Sequence, residues 1–426
     1  MQWRCMTTHK TSSKIRNFFK KLGPGLITGA SDDDPSGIAT YSQAGAQFGL
    51  STLWTALFTF PLMTVIQEMC ARIGKVTCKG LASNIKEQYP RPLLYFIALL
   101  TVPAIILNIS ADIAGMGAVS HLVIPQIPAA IFSILFTILL AIGMVFCSYQ
   151  KIVAVLKYLC LSLFLYLIIP FLVNTNAWQV IKNTLIPHIQ FNKQYLGILV
   201  AILGTTISPY LFFWQATMEA EESSKKQSSF ITRSSLTAMT GDVSFGMFSS
   251  NLVMYFIILT TGTVLYKAGI NDIQTVEQAA KALEPLAGEL SYFLFALGII
   301  GTGLLAIPVL SGCLSYMLTT LFDLKSGLDN SFSSAKEFYL IIIVSLIIAL
   351  LINFTGFNPI EALLMTAILY GLTAPVLILI ILHIANNKKI MGEFTNGWLS
   401  NLIGILAFLL MSAAALLLLY LELFSS

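Results

Sequence analysis

Residues 25–40 read GLITGASDDDPSGIAT, and this stretch decides what kind of fold the sequence encodes. Three consecutive carboxylates, Asp32 to Asp34, lie between two apolar segments that are each too short to cross a bilayer alone. Pro35 removes a backbone donor, and Gly37 permits backbone conformations that are closed to other residues. We therefore predict one membrane span that is unwound at its centre. The alternative, an interfacial loop between two short helices, would leave both apolar segments stranded.

The composition is that of an integral membrane protein. Hydrophobic residues make up 56% of the 426 residues and charged residues only 10%, whereas soluble proteins carry about 25% charged residues. Apolar runs of about 20 residues, the length that crosses a bilayer, recur along the whole chain. The predicted spans are 20–48, 51–74, 92–120, 127–147, 150–173, 195–220, 238–265, 288–322, 337–355, 358–384 and 397–423.

The distribution of positive charge predicts the orientation of these spans. Residues 1–19 are polar and basic without an early apolar run, so we expect a cytoplasmic segment there rather than a signal peptide. With that end inside, nearly all of the 24 lysines and arginines fall on the cytoplasmic side. We predict a multi-pass protein of the cell membrane with its carboxyl end outside. The exceptions on the outer side are Lys182, Lys193, Lys267 and Lys281.

A second interruption predicts the architecture. Residues 203–211 read LGTTISPYL, which again places glycine, proline and small polar residues inside an apolar stretch. Alone this could be a simple proline kink. The two breaks, however, open successive blocks of five spans, which is typical of inverted-repeat transporters with a site at the midplane. We predict an all-α, LeuT-like 5+5 fold in a single domain. Its parts are spans 1–5 at 20–173, spans 6–10 at 195–384 and an eleventh span at 397–423.

The two breaks offer oxygen ligands for a metal cation. Asp34 is the first candidate, because it directly precedes the proline, and Ser31, Thr205 and Ser208 offer carbonyl or hydroxyl oxygens. Such an all-oxygen set suits hard cations such as Mg²⁺, Ca²⁺ or Mn²⁺. Three carboxylates cannot all be buried and ionised cheaply. We therefore expect three further residues to surround the site or line its approach: Asp32, Asp33 and Ser36.

Other polar residues have weaker claims. Asp112 in the third span is either a relay or a hydrogen-bonded support. Glu68 lines the cytoplasmic exit or pairs with Arg72 one turn on. Asp242 reads as a charge at the start of the seventh span. The acidic residues at the inner end of the sixth span read as a solvated cluster, followed by a loop over 221–226; they are Glu219, Glu221 and Glu222.

At these positions the chain resembles the Nramp family of divalent metal transporters, over about residues 18–423. The family holds its metal with an Asp-Pro-Gly-Asn segment and a Met-Pro-His segment, and protons accompany the metal. The segments that carry the resemblance are Gly23-Pro24-Gly25, Asp34-Pro35-Ser36-Gly37, Gln43-Ala44-Gly45-Ala46-Gln47-Phe48-Gly49, the stretch from Gly204 to Tyr210 and, more weakly, Asp112-Ile113-Ala114.

The departures from the family pattern concern the ligands themselves. Asp34 and Asp112 are retained, but the soft and protonatable side chains are missing. Gly37 occupies the position of the family's asparagine ligand, and Ser208 that of its methionine. Tyr210 replaces the histidine that follows, and Gln215 replaces a second histidine. Gly115 is found where the family has a glutamate in the third span. The tenth span offers no clear counterpart of the family's polar ligand, and Thr366 is the nearest hydroxyl.

These losses imply a wider, wetter site at position 37 without a soft donor. Mg²⁺ usually keeps several waters, so the resemblance is greatest to the Nramp-related magnesium transporters. It implies alternating-access transport of partly hydrated Mg²⁺ or Mn²⁺ without strict proton coupling. A proton-coupled Mn²⁺/Fe²⁺ importer is the alternative. A LeuT-like carrier of organic solutes comes next, although the aspartates would repel a substrate carboxylate.

The remaining expectations concern partners and catalysis. An intramembrane aspartyl protease needs two paired aspartates on separate helices, and no second strong acid site is present, so we expect no enzyme. Scattered histidines and cysteines argue against a zinc site. We expect divalent ions and the lipid bilayer as partners, no nucleic acid and no resident cofactor, with a monomer sufficient for function.

Overall fold

A computed structural model describes residues 23–146, 163, 166–173, 176–225, 232–328, 330–356 and 358–424. This part of the chain is helical and contains no β-strand. The predicted cytoplasmic segment 1–19 and most of the predicted fifth span lie outside the described residues. The α-helices are α1 Pro24–Asp32, α2 Pro35–Phe48, α3 Trp54–Thr77, α4 Leu81–Gln88, α5 Arg91–Val123, α6 Ala129–Phe146, α7 Ile169–Leu172, α8 Ala177–Leu185, α9 Lys193–Thr206, α10 Pro209–Lys225, α11 Arg233–Val264, α12 Val276–Ala280, α13 Glu284–Ala287, α14 Ser291–Leu321, α15 Lys336–Asn353, α16 Pro359–Asn386, α17 Lys388–Met391 and α18 Trp398–Phe424.

The helices reproduce the predicted membrane spans. Among the described residues, nine stretches are long and apolar enough to cross a membrane. They correspond to the second to fourth and the sixth to eleventh predicted spans, with α9 and α10 together forming the sixth. The first predicted span is present as α1 and α2, two short helices that meet end to end. The chain is therefore a multi-pass membrane protein.

Both predicted breaks are present, and proline starts the second half of each interrupted span. Helix α1 ends at Asp32 and α2 begins at Pro35, while α9 ends at Thr206 and α10 begins at Pro209. A proline at the first helical position costs no hydrogen bond, because that N–H has no partner within the helix. The residue before a proline also avoids the helical conformation. Local chemistry thus fixes where both helices are interrupted.

The interrupted spans lie at the centre of the bundle. In the sixth span, 89% of the residues in the apolar window are buried, against 28% in α6 and 33% in α15 and α18. The outer helices instead expose large apolar side chains to the lipid, such as Leu135 in α6 and Leu409 in α18. The two breaks therefore lie in the part of the protein that is farthest from lipid.

Glycines allow the central helices to approach backbone to backbone. A Cβ atom on Gly246 of α11 would lie 2.2 Å from the carbonyl oxygen of Gly25 in α1, and one on Gly29 would lie 2.3 Å from the carbonyl oxygen of Gly246. A Cβ on Gly204 of α9 would similarly lie 2.1 Å from the carbonyl oxygen of Ala367 in α16. Small residues at helix crossings are the usual basis of tight packing in membranes.

Polar contacts group the connecting segments at two ends of the bundle. At one end, Lys86 donates to the carbonyl of Thr320 and pairs with Asp323, and Arg72 donates to the carbonyl of Phe394. At the other end, Gln43 donates to Asp272. This grouping agrees with the side predicted for each segment. Which end faces the cytoplasm stays a prediction.

We expect Gly246→Ala to destabilise the protein by about 1–3 kcal/mol, because the new methyl group would meet backbone atoms of α1 that cannot rotate away. Gly241→Ala in the same helix is the matched control, because nothing lies within 4 Å of its Cβ position. The control should be neutral or more stable by about 0.5–1 kcal/mol. Thermal unfolding in detergent measures both, and equal melting temperatures would contradict the close helix contact.

Candidate metal centre

Asp34 occupies the first break and caps the helix that follows it. Its Oδ1 accepts hydrogen bonds from the backbone N–H of Gly37 and from the hydroxyl of Ser36, both at 2.7 Å. Its Oδ2 accepts from Asn108 Nδ2 of α5 at 2.9 Å. The side chain is buried. The carboxylate is thus fixed in orientation, with one oxygen committed to the start of α2 and the other directed toward α5.

Asn108 joins the third and tenth spans to this carboxylate. Its Oδ1 lies 3.1 Å from the hydroxyl of Thr366 in α16. Thr366, the tenth-span hydroxyl suggested by the sequence, therefore reaches Asp34 through Asn108. Sequence reasoning missed Asn108. The available signal was its place one helical turn before Asp112, which puts both polar side chains on one face of an apolar helix.

The other two aspartates of the first break turn toward the seventh span. The hydroxyl of Ser250 in α11 lies 2.7 Å from Asp32 Oδ2 and 3.1 Å from Asp33 Oδ1. Both carboxylates are buried. Within the described residues, no three His, Cys, Asp or Glu side chains gather as a metal-binding group. The three consecutive aspartates therefore separate into one that faces the third span and two that share a hydroxyl on the seventh.

The second break lies against the first. A Cβ atom on Gly37 would lie 3.2 Å from the Thr205 hydroxyl and 3.4 Å from the carbonyl oxygen of Asp32. The hydroxyl of Ser208 donates to the Thr205 carbonyl at 2.5 Å, within its own break. The hydroxyl of Tyr210 donates to the Ser31 carbonyl at 2.9 Å. The structure thus links Asp34, Gly37, Thr205 and Ser208 through successive contacts, and it ties Ser31 to the second break through Tyr210. The Ser31 carbonyl and the Ser208 hydroxyl already have partners.

The site is closed in this conformation, which differs from the wide, wet pocket expected from the missing side chain at position 37. Asp34, Thr205 and Ser208 are all buried. The two broken helices approach until Thr205 faces the space that a side chain at Gly37 would occupy. A cavity of about 360 Å³ lies elsewhere, between α4, α10 and α14. Any widening of the site therefore requires the two broken spans to move apart.

Gln215, predicted to be near the pathway, belongs to a polar chain on the α10 side of the site. The Thr28 hydroxyl of α1 lies 2.5 Å from Gln215 Oε1, and Gln215 Nε2 donates to Glu219 Oε1 at 3.4 Å. Glu219 also pairs with Lys75 of α3 at 3.2 Å and is buried. The prediction that Glu219 is solvated is wrong, because the residue is buried and its ionic partner, Lys75, comes from α3, a helix distant in sequence.

Three further sequence predictions are resolved by contacts. Glu68 pairs with Arg72 at 3.1 Å, so of its two suggested roles the ion pair is present. Asp242 lies well inside α11 and accepts from the backbone N–H groups of Gly23 and Gly25, so it caps α1 and is not a start charge of its own helix. The predicted loop at 221–226 is also wrong in its first part, because α10 continues to Lys225 and residue 226 lies outside the described residues.

Asp112 is buried, and within the described residues neither of its carboxylate oxygens has a hydrogen-bond partner. The hydrogen-bonded support role suggested for it is therefore not observed. Gly115, one turn further along α5, leaves its Cβ position 3.5 Å from Leu363 and 3.9 Å from Pro35. An acidic side chain at that position would have entered an apolar contact between α5, α16 and the first break.

Comparison with known proteins identifies the family. The sequence pattern of the family described as Natural resistance-associated macrophage protein-like (Nramp) matches residues 25–421 of this chain. The chain is 25% identical over 399 residues to the divalent metal cation transporter MntH of Caldanaerobacter subterraneus subsp. tengcongensis, covering 92% of this chain and 91% of that protein. It is 23% identical over 403 residues to the MntH of Pectobacterium carotovorum subsp. carotovorum, with 92% and 91% covered.

Solved structures show the same fold. A crystal structure of the Eremococcus coleocola manganese transporter, in complex with an aromatic bis-isothiourea compound, superposes with a TM-score of 0.74 at 19% identity and covers 98% of this chain and 88% of its own. Mhp1, a nucleobase-cation-symport-1 family transporter, gives a TM-score of 0.55 at 12% identity, with 93% and 92% covered. The predicted all-helical, LeuT-like architecture is confirmed, and with the match over residues 25–421 the chain belongs to the Nramp family.

Proposed function

We propose that this protein carries divalent metal cations across the membrane and that Asp34 anchors the ion. The observation behind the proposal is a buried carboxylate at the meeting point of two broken helices. Within the described residues, none of the ion pairs involves Asp34 or its two neighbours. A buried carboxylate without a cationic partner is costly, and a metal ion supplies the missing charge. Relatives named divalent metal cation transporters support the same function.

The ligand chemistry favours Mg²⁺ or Mn²⁺ that keeps part of its hydration shell. The proposed ligands in the two breaks offer carboxylate, hydroxyl and carbonyl oxygens, which are the donors that hard cations prefer. Ser208 stands where a thioether would favour softer transition metals. Ser31, Gly37 and Thr205 complete the proposed lining of the metal site. Water would fill the remaining coordination positions of the ion once the two broken spans move apart.

A proton-coupled Mn²⁺/Fe²⁺ importer is the second candidate. Asp112 supports it, because a buried carboxylate without a hydrogen-bond partner is a possible proton carrier. Met254 supports it as well, because its thioether lies 3.7 Å from the hydroxyl of Thr206 beside the second break. An organic-solute carrier is less favoured, because three buried aspartates would repel a substrate carboxylate.

Alternating access would proceed by movement of α1. Four side chains contact this short helix through hydrogen bonds: Asp242 at its start, Gln215 at Thr28, Tyr210 at the carbonyl of Ser31 and Ser250 at Asp32. Releasing them would open the site toward the end of the bundle where Lys75 and Glu219 lie. With the amino end in the cytoplasm, as the positive charges favour, that end faces the cell interior. The protein would work as a single transport domain over 20–423 in the plasma membrane, without an enzymatic step.

We expect Asp34→Asn to reduce Mg²⁺ and Mn²⁺ uptake into proteoliposomes at least about 100-fold, equivalent to about 2.8 kcal/mol of ion binding. The exposed Asp323 provides the matched control, because Asp323→Asn loses only a surface ion pair with Lys86 and should keep uptake within about twofold. The same vesicles report internal pH. Uptake of both ions without acidification supports the uncoupled carrier.

Acidification with Mn²⁺ and no competition by Mg²⁺ would favour the proton-coupled importer instead. Equal loss of uptake in the variants of Asp34 and Asp323 would contradict a specific role of Asp34 in ion binding. Normal uptake by Asp34→Asn would exclude it as the anchor.

We expect Thr28→Val to loosen α1, because it removes a hydroxyl contact worth about 1 kcal/mol, or about fivefold in an opening equilibrium. Hydrogen–deuterium exchange of the segment 23–32 should accelerate by that factor, while α2 stays protected. Thr137→Val is the control, because the Thr137 hydroxyl donates to the Ser133 carbonyl one turn earlier in α6. Unchanged exchange in α1 would show that the Thr28 contact does not hold this helix.

A further inference from the structure

The Thr366 hydroxyl lies within reach of two acceptors, only one of which belongs to Asn108. The Thr366 hydroxyl lies 3.1 Å from Asn108 Oδ1 and 2.8 Å from the carbonyl oxygen of Leu363. A threonine hydroxyl has a single proton, so it can donate fully to only one of these two acceptors. When it donates to the Leu363 carbonyl, its oxygen is available to accept an N–H from Asn108. The amide would provide that N–H only after turning over.

Turning the amide over changes what Asp34 faces. A rotation of about 180° about the last side-chain bond exchanges the amide oxygen and nitrogen, which differ little in size. Asn108 Nδ2 would then donate to Thr366, and Asn108 Oδ1 would take the position that lies 2.9 Å from Asp34 Oδ2. Two oxygens at that distance repel each other unless a cation binds both.

The spacing of these atoms fits one cation. Octahedral Mg²⁺ binds oxygen at about 2.0–2.1 Å, so neighbouring corners of its coordination shell are about 2.9 Å apart. The same distance separates the Asn108 amide from Asp34 Oδ2. The amide nitrogen thus stabilises the Asp34 carboxylate through a hydrogen bond, and the amide oxygen would complete a pair of adjacent ligands for a bound ion.

We infer that Asn108 is a metal ligand of the proposed transport site, with its carboxamide oxygen and Asp34 Oδ2 as neighbouring corners of the ion's shell. The third span thereby supplies the amide that the first span lacks at Gly37. Thr366 acts as a positioning residue, because it accepts the amide nitrogen in the ion-bound state. This inference rests on the proposed function, since it requires that Asp34 binds a divalent ion.

A soft ligand at position 108 tests the inference. In Asn108→Cys, thiolate replaces a hard oxygen donor, so the affinity for Cd²⁺ relative to Mg²⁺ should rise at least about tenfold. Asn251→Cys is the matched control: Asn251 is also buried, donates to a threonine hydroxyl, that of Thr59, at 3.1 Å, and contacts Met63. The control should change the ratio by less than about twofold. The ratio of Cd²⁺ to Mg²⁺ affinity is measured by competition binding to the purified protein and by uptake into proteoliposomes.

Thr366→Val provides a second test that leaves Asn108 in place. Loss of the hydroxyl should weaken binding of both ions by about fivefold without changing their ratio, as expected for a residue that only orients the ligand. If Asn108→Cys does not fold, an equal loss for both ions in Thr366→Val supports the inference, and unchanged binding overturns it.

The outcomes of these experiments distinguish a failure of this inference from a failure of the proposed transport function. A folded Asn108→Cys protein with the wild-type Cd²⁺ to Mg²⁺ ratio, in a background where uptake depends on Asp34, overturns the role of Asn108 alone. If wild-type protein shows no Asp34-dependent binding or uptake of any divalent ion, the proposed function fails first. A ratio that rises equally in Asn108→Cys and Asn251→Cys also overturns the inference, because any buried thiol would then suffice.

Discussion

Backbone groups that leave a helix inside a bilayer find no water, so the protein itself must supply their partners. The two interrupted spans meet this requirement partly within each break and partly across the two breaks. Asp34 caps α2, Tyr210 from the second break binds the carbonyl of Ser31 in the first, and Ser208 binds the carbonyl of Thr205. The first break thus takes one of these partners, the Tyr210 hydroxyl, from the second. The remaining helices surround this pair, which explains why the sixth span is the most buried of the candidate spans.

Electrostatics distinguishes Asp34 from its two neighbours. Asp34 lies at the amino end of α2, where the helix dipole favours negative charge, whereas Asp32 lies at the carboxyl end of α1, where it does not. Ser250 has one proton to share between Asp32 and Asp33, whereas Asp34 accepts three hydrogen bonds. The carboxylate with the best support for its charge is thus Asp34, the one that Asn108 contacts. This division of roles among three adjacent aspartates depends on which helix ends where.

Local sequence signals predicted the breaks, because Pro35 and Pro209 act on their own turns of backbone wherever the rest of the chain lies. The partners of the site were not predictable in that way. Ser250 and Asn108 sit on long apolar helices, and only packing determines which face of such a helix meets the first break. Asp242 is a further residue whose partners could not be predicted from local sequence. Its position near the predicted start of a span suggested a local role, but its partners lie more than 200 residues earlier in the chain.

The closed geometry of the site bears on how a carrier could work without protons. Such a carrier must return across the membrane empty, with its binding carboxylate buried and still charged, or it will take up a proton instead. Neutral donors can support that charge, and Asp34 has three of them: the Gly37 N–H, the Ser36 hydroxyl and the Asn108 amide. Two belong to the start of α2, the same turn of backbone that Asp34 caps. The third comes from a side chain that can present nitrogen to the empty carboxylate and oxygen to an ion. A reversible amide would thus serve both halves of an uncoupled cycle, which a fixed donor or a fixed ligand at the same place could not do.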